Sequence, residues 1–128
     1  MQTLQKKYTD RGVVWLTICS SAEGKQGYHS AEEWNQKLTE TESFSTALLI
    51  DADGTVGKKY GAKVTPHMFV INGEGILIYQ GAVDSIPSWK AEDISSAENY
   101  VAAALDVSMK GDTVKVGETK PYGCGVKY

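Results

Sequence analysis

Two short apolar runs, Val13–Cys19 (VVWLTIC) and Thr46–Ile50 (TALLI), flank a polar stretch with helical spacing, and a third apolar region follows as two runs around a Gly-rich turn. This order constrains the fold more than any other feature of the chain. Val13–Cys19 is nearly all apolar and rich in β-branched residues, which reads as a strand buried on both faces of a parallel sheet. Ser30 followed by Glu33 has the pattern of a capping box, and Ala31–Thr39 then carries Trp34 and Leu38 on one helical stripe. Gln2–Asp10, with Leu4 and Tyr8 four apart and Gly12 beyond, reads as an earlier helix.

After the second run, Asp51-Ala52-Asp53-Gly54 is a turn sequence, and Thr55–Tyr60 a short helix closed by Gly61. Met68–Ile71 and Ile76–Gln80 read as strands joined at Asn72-Gly73, a hairpin signal. Ser95 with Glu98 predicts a capping box for a helix whose apolar face is Ala97, Tyr100, Val101, Ala104 and Leu105, ending near Lys110 and Gly111. Strands alternating with helices predict an α/β fold with a partly parallel sheet. Without repeats or an internal linker, residues 1–128 are expected to form a single domain, with 113–128 as an extended C-terminal tail. Trp15, Trp34 and Trp89 read as packing residues.

Composition narrows the function. With 128 residues, 41% of them hydrophobic and 23% charged, the chain can bury an ordinary core without disulfides or a structural metal. A net charge of −3 provides no basic field for a phosphate backbone, so nucleic acid is not an expected partner. No apolar run approaches the ~20 residues of a membrane span, so no membrane partner is expected. The polar start Met1–Arg11 has no signal-peptide core, and a cytoplasmic location is expected.

Cys19 and Cys124 form neither a C-x-x-C motif nor a zinc spacing. Cys19 falls at the C-terminal end of a parallel strand, where open α/β sheets place ligands, yet cysteine there serves equally as a small buried hydrophobe. Cys124, between Gly123 and Gly125 in a polar tail, is expected to be exposed and mobile. Such a thiol suits attack on a sulfenic acid made elsewhere, or else is a tail cysteine without a partner. His67 has two readings, a base near a thiol or a ring held in a structural hydrogen bond. His29 reads as solvated. Asp51-x-Asp53-Gly54 is superficially like a calcium loop, but Val56 and Ala62 stand where the loop needs Gly and Glu. No phosphate-binding or serine-hydrolase motif occurs, and neither cofactor nor metal is expected.

The segment Asp51–Gly81 (DADGTVGKKYGAKVTPHMFVINGEGILIYQG) resembles the thioredoxin-like proteins of the peroxiredoxin group, the alkyl hydroperoxide reductase/thiol-specific antioxidant family. Its aspartate turn, short helix, Tyr-Gly, Thr-Pro, strand, Gly turn and strand match in order. Val13–Tyr28 (VVWLTICSSAEGKQGY) and Pro121–Tyr128 (PYGCGVKY) are similar to a bacterial redoxin subgroup, and the resemblance runs from Leu4 to Tyr128. It implies a thioredoxin-like three-layer sandwich with a mixed sheet. It also implies a cis bond at Thr65-Pro66, with Thr65, Pro66 and His67 forming a shelf that faces substrate.

Family members begin with a central strand and a turn bearing the primary cysteine, and the 128 residues contain no counterpart of either. The expectation is therefore a truncated domain whose primary nucleophile is absent from its usual place. Two bare strand edges would follow, closed by a homodimer (strand-swapped or edge-to-edge) or by the tail segment Thr113–Val116 (TVKV). Two functions are expected. The first is thiol-dependent reduction of peroxide or disulfide, with Cys124 and Cys19 as candidate thiols, a thiol/disulfide redox partner, and no full peroxidase activity from this chain alone. The second is a non-catalytic, dimeric binding or assembly module. Thiol behaviour separates them.

Overall fold

A computed structural model of the chain describes residues 1–88 and 90–128, so Trp89, expected in the core, lies outside the described residues. The residues group into two compact units, Met1–Ala62 with Val126–Tyr128, and Lys63–Gly125.

In the first unit, α1 (Gln2–Thr9) buries Gln5 and Tyr8. Burying an amide requires partners, and Gln5 Oε1 accepts from the Phe44 amide at 3.1 Å and the Ser43 hydroxyl at 3.3 Å. The carbonyl of Tyr8 accepts from the Val13 amide at 3.0 Å. That bond belongs to the end of α1, and the apolar run begins its strand only at Leu16. β1 (Leu16–Cys19) pairs in parallel with β2 (Ala47–Ile50), Leu16 opposite Ala47 and Cys19 opposite Ile50. Between them, α2 (Ala31–Glu40) starts at Ser30 with both reciprocal bonds of the capping box, an arrangement worth about 1 kcal/mol at the cap. α3 (Thr55–Tyr60) ends at Gly61 in the left-handed conformation.

Burial of β1 on both faces is not observed. Leu16 is 48% exposed, Ile18 41%, Leu49 45% and Ile50 43%. Among the described residues the sheet holding β1 has two strands, and an apolar strand is buried only when further strands and covering elements surround it.

The second unit contains β3 (Val64–Thr65), β4 (Met68–Ile71), β5 (Leu77–Gly81), α4 (Ala91–Ile94), α5 (Tyr100–Met109) and β6 (Cys124–Gly125). β4 and β5 form the expected antiparallel hairpin, but its turn is not the two-residue Asn-Gly type. Asn72 Oδ1 accepts from the amides of Glu74 at 2.9 Å and Ile76 at 3.0 Å, and the residue needing positive φ is Gly75 at 81°. The four-residue turn and a register shift at Val70/Ile71 move the start of β5 from Ile76 to Leu77. Val70, Tyr79, Ala82, Val101, Ala104 and Leu105 are the buried apolar residues of this unit, and α5 packs on β4 and β5.

The predicted Ser95/Glu98 capping box does not form. The Glu98 amide donates to Ser85 Oγ at 2.8 Å and its carbonyl accepts from the Ser85 amide, which holds the chain extended. Helix α5 therefore starts later, with Asn99 Oδ1 accepting from the Ala102 amide at 2.8 Å, and Ser95 instead ends α4. Nor is Thr113–Val116 a strand. Gly117–Thr119 runs beside β5 instead, with Gln80 donating to the Gly117 carbonyl and accepting from the Thr119 amide. The fold is mixed α/β, built of small parallel and antiparallel sheets. No helix among the described residues is long and apolar enough to cross a membrane.

Candidate functional site

In the second unit, β6 pairs antiparallel with β3, which sets Cys124 opposite Thr65 and Gly125 opposite Val64. The Thr65–Pro66 peptide is cis. Thr65 and Cys124 are exposed, while Pro66 and His67 are half-buried. Thr65 and Cys124, far apart in the sequence, thus meet in one short stretch of backbone pairing, with Pro66 and His67 next along the chain from Thr65.

Local chemistry accounts for the position of Cys124. Gly123 has φ 145°, and a Cβ there would be driven into the carbonyl oxygen of Thr65. Only glycine allows this approach. One residue earlier, the Tyr122 hydroxyl donates to Asp84 Oδ1 at 2.5 Å. Burial, then the hydrogen bond to Asp84 and its charge, push the Tyr122 phenol up to about 12, so it remains a donor at physiological pH. Further back, the Tyr79 hydroxyl donates to the Ala82 carbonyl at 2.5 Å. With its one proton spent there, it accepts from Thr119 Oγ1 at 2.6 Å, and Thr119 in turn accepts from the Ala82 amide at 3.0 Å. The expected mobility of the tail gives way to a segment fastened at residues 117, 119, 122, 124 and 125, with its thiol still exposed.

His67 Nδ1 accepts from the Lys63 amide at 3.3 Å, and the ring stacks on Phe69 with centroids 4.5 Å apart. Burial, and then the Lys63 charge, hold the imidazole below its usual range against an opposing pull from Glu118. At neutral pH it is uncharged, with its proton on Nε2.

In the first unit, Cys19 ends β1, half-buried, and its Sγ donates to the Gly27 carbonyl at 3.5 Å. Cys19 and Cys124 are both free thiols. Beside Cys19 is a residue that the sequence presented only as part of a turn. Asp51 is 7% exposed and accepts from Ser20 Oγ at 2.6 Å, the Gly57 amide at 2.8 Å and the Val56 amide at 3.0 Å. Burial pushes its carboxyl up, but the bonds from Ser20, Gly57 and Val56 together outweigh burial and hold it below its ordinary value. An acidic residue directly after an apolar strand and just ahead of a helix is the signal that identifies it, because the first amides of that helix need acceptors. The C-terminal residues belong to this unit too: the Ala22 amide donates to the Lys127 carbonyl at 2.7 Å, and the Tyr128 hydroxyl donates to the Ala62 carbonyl at 2.6 Å. His29 stands 3.7 Å from Glu33 and edge-on to Trp34. No group of three or more metal-capable side chains occurs among the described residues.

The family model for redoxins matches residues 1–101, and the chain belongs to the redoxin family. Two solved structures have a similar fold over 99% of the chain. One is a hypothetical protein from Sinorhizobium meliloti, 24% identical with a TM-score of 0.84, of which the chain covers 68%. The other is an uncharacterized conserved protein from Geobacillus kaustophilus, 23% identical with a TM-score of 0.83, and here the chain spans 66% of its length. No curated protein matches the chain significantly. Membership points to thiol-dependent redox chemistry at the level of the family.

Proposed function

We propose that the chain is a thiol-dependent redox protein that acts through Cys124, presented on the backbone of Thr65 beside Pro66, and that it lacks full peroxidase activity by itself. The register of β6 on β3 carries this reading, because it sets an exposed thiol opposite the residue preceding the cis proline. The fastened tail removes much of the motion that a terminal thiol would otherwise lose on reaction, so the sulfur is pre-positioned.

The chemistry is exchange at sulfur. As a thiolate, Cys124 attacks one sulfur of a disulfide, a new S–S bond forms, and the other sulfur leaves as thiolate. With a sulfenic acid on a partner, the S–O bond breaks as the S–S bond forms, and hydroxide leaves with the thiol proton as water. A second thiol from a reductant then cleaves the mixed disulfide. Thr65 and Pro66 form the ledge along which the partner sulfur is held. The Nδ1 lone pair of His67 is engaged by the Lys63 amide and its ring stacks on Phe69, so the ring supports the ledge and does not serve as a base through Nδ1.

The test is incubation with oxidised glutathione followed by intact mass measurement. The wild type and Cys19→Ser are expected to gain one glutathione rapidly, and Cys124→Ser is expected to lose that reaction at least about tenfold. A Cys124→Ser protein that is modified as fast as the wild type would refute the reading. The second reading, a dimeric binding module, is favoured by the half-exposed apolar residues of β1 and β2.

A further inference from the structure

Two side chains fasten the segment that carries Cys124 to the second unit, and they differ in kind. The earlier is Thr119, whose hydroxyl bonds Tyr79 Oη at 2.6 Å and accepts from the Ala82 amide at 3.0 Å. Tyr79 is 1% exposed and Ala82 3%, so this anchor belongs to the core. Breaking it would leave buried polar groups without partners. The later is Tyr122, half-buried and two residues ahead of the thiol, whose hydroxyl donates to Asp84 Oδ1. Among the described residues it is the side-chain hydrogen bond nearest to Cys124 in the sequence.

Asp84 is itself held firmly. Its Oδ1 also accepts from the Ile86 amide at 3.2 Å. The residues on either side of it are tied to the start of α5: the Val83 carbonyl accepts from the Tyr100 amide at 3.0 Å, and the Ser85 amide donates to the Glu98 carbonyl at 2.9 Å. On the other side of Tyr122, β6 and β3 are each two residues long. Two paired strands so short are marginal by themselves, so the register of Cys124 on Thr65 depends on what holds the neighbouring chain.

We propose that Tyr122 and Asp84 are a positioning pair for Cys124, whose hydrogen bond fixes the direction from which the sulfur meets an incoming disulfide. The inference rests on the reading of Cys124 as the reactive thiol and adds the residues that aim it. In the step itself, a bond forms between the Cys124 thiolate and one sulfur of the disulfide as the old S–S bond breaks, and the second sulfur leaves as thiolate. Tyr122 and Asp84 exchange no proton or electron in it. Such a step needs a near-attack geometry, and a misplacement of about 1 Å can cost a hundredfold in rate. A small alkylating reagent reaches an exposed thiol from many directions and carries no such requirement. The pair therefore governs exchange and leaves alkylation alone.

The test uses the full chain with Cys19→Ser as parent, so that Cys124 is its one thiol. Rates with oxidised glutathione and with iodoacetamide are measured side by side. Tyr122→Phe and Asp84→Ala are expected to slow glutathione exchange at least about fivefold, while alkylation stays within about twofold of the parent. Asp84→Asn keeps an acceptor oxygen for the Tyr122 hydroxyl and should hold exchange within about twofold of the parent. Because the two residues act as a unit, the Tyr122→Phe, Asp84→Ala double variant should be no slower than either single one. Exchange in Tyr122→Phe at the parent's rate, or exchange and alkylation slowed by the same factor, would overturn the proposal and leave the reading of Cys124 standing. A parent that undergoes no exchange at all would overturn that reading and the proposal with it.

Discussion

Gly123→Ala is expected to lose the pairing of β6 with β3 and to lower the melting temperature by roughly 3–10 °C. The methyl group would be driven into the Thr65 carbonyl, at a φ of 145° that side chains rarely adopt. The chain relieves this conflict by withdrawing residues 123–125 from Thr65, which breaks the pairing of Thr65 with Cys124 and Val64 with Gly125. Ordering and backbone strain of this kind cost about 1–3 kcal/mol. Amide exchange reports it directly, since protection in β3 and β6 should vanish. Glutathione should still modify Cys124, because the thiol is exposed in either arrangement. A variant with wild-type melting and protection would show that the close approach at Gly123 does not hold the thiol in place.

Asp51→Ala is expected to be more damaging, by roughly 3–5 kcal/mol. It leaves the amides of Val56 and Gly57 and the hydroxyl of Ser20 without their acceptor. Orphaned buried groups cost on the order of 1–3 kcal/mol each. The same carboxylate makes stability depend on pH, and its sign follows from linkage. The folded carboxyl lies below the ordinary 3.8, so its contribution is fully present above that value and is lost as pH falls through the folded value. Denaturation midpoints between about pH 2 and pH 7 should fall on acidification in the wild type and fall less in Asp51→Asn. An equal acid dependence in both proteins would mean that Asp51 does not titrate as its partners require.

Elements with a local signature were legible in the sequence. Ser30 and Glu33 cap α2 because both bonds of the box lie within four residues, and the spacing of Val101, Ala104 and Leu105 marks the buried side of α5. β3 and β6 were not legible, since each is two residues long and exists only because the other lies opposite. Ser95 failed as a cap for a related reason: Ser85 holds Glu98 in extended chain, a contact from ten or more positions away that overrides the local pattern. The apolar run at β1 stated a preference for the interior of a sheet, and burial depends on the neighbours as much as on the run. Of the site, Thr65, Pro66, His67 and Cys124 were named as separate candidates, but no residue in the tail announced its register on Thr65. Asp51 looked like a turn residue because the amides that give it a role converge only in the folded chain.

The central claim is that Cys124 is the reactive thiol of this chain and Cys19 a held one, with its Sγ donating to the Gly27 carbonyl. Timed alkylation of the native protein with iodoacetamide, followed by peptide mapping, tests this most directly. The account predicts that Cys124 is labelled at least about ten times faster, and that Cys19 matches it only after unfolding. Equal rates in the native protein, or faster labelling of Cys19, would contradict it.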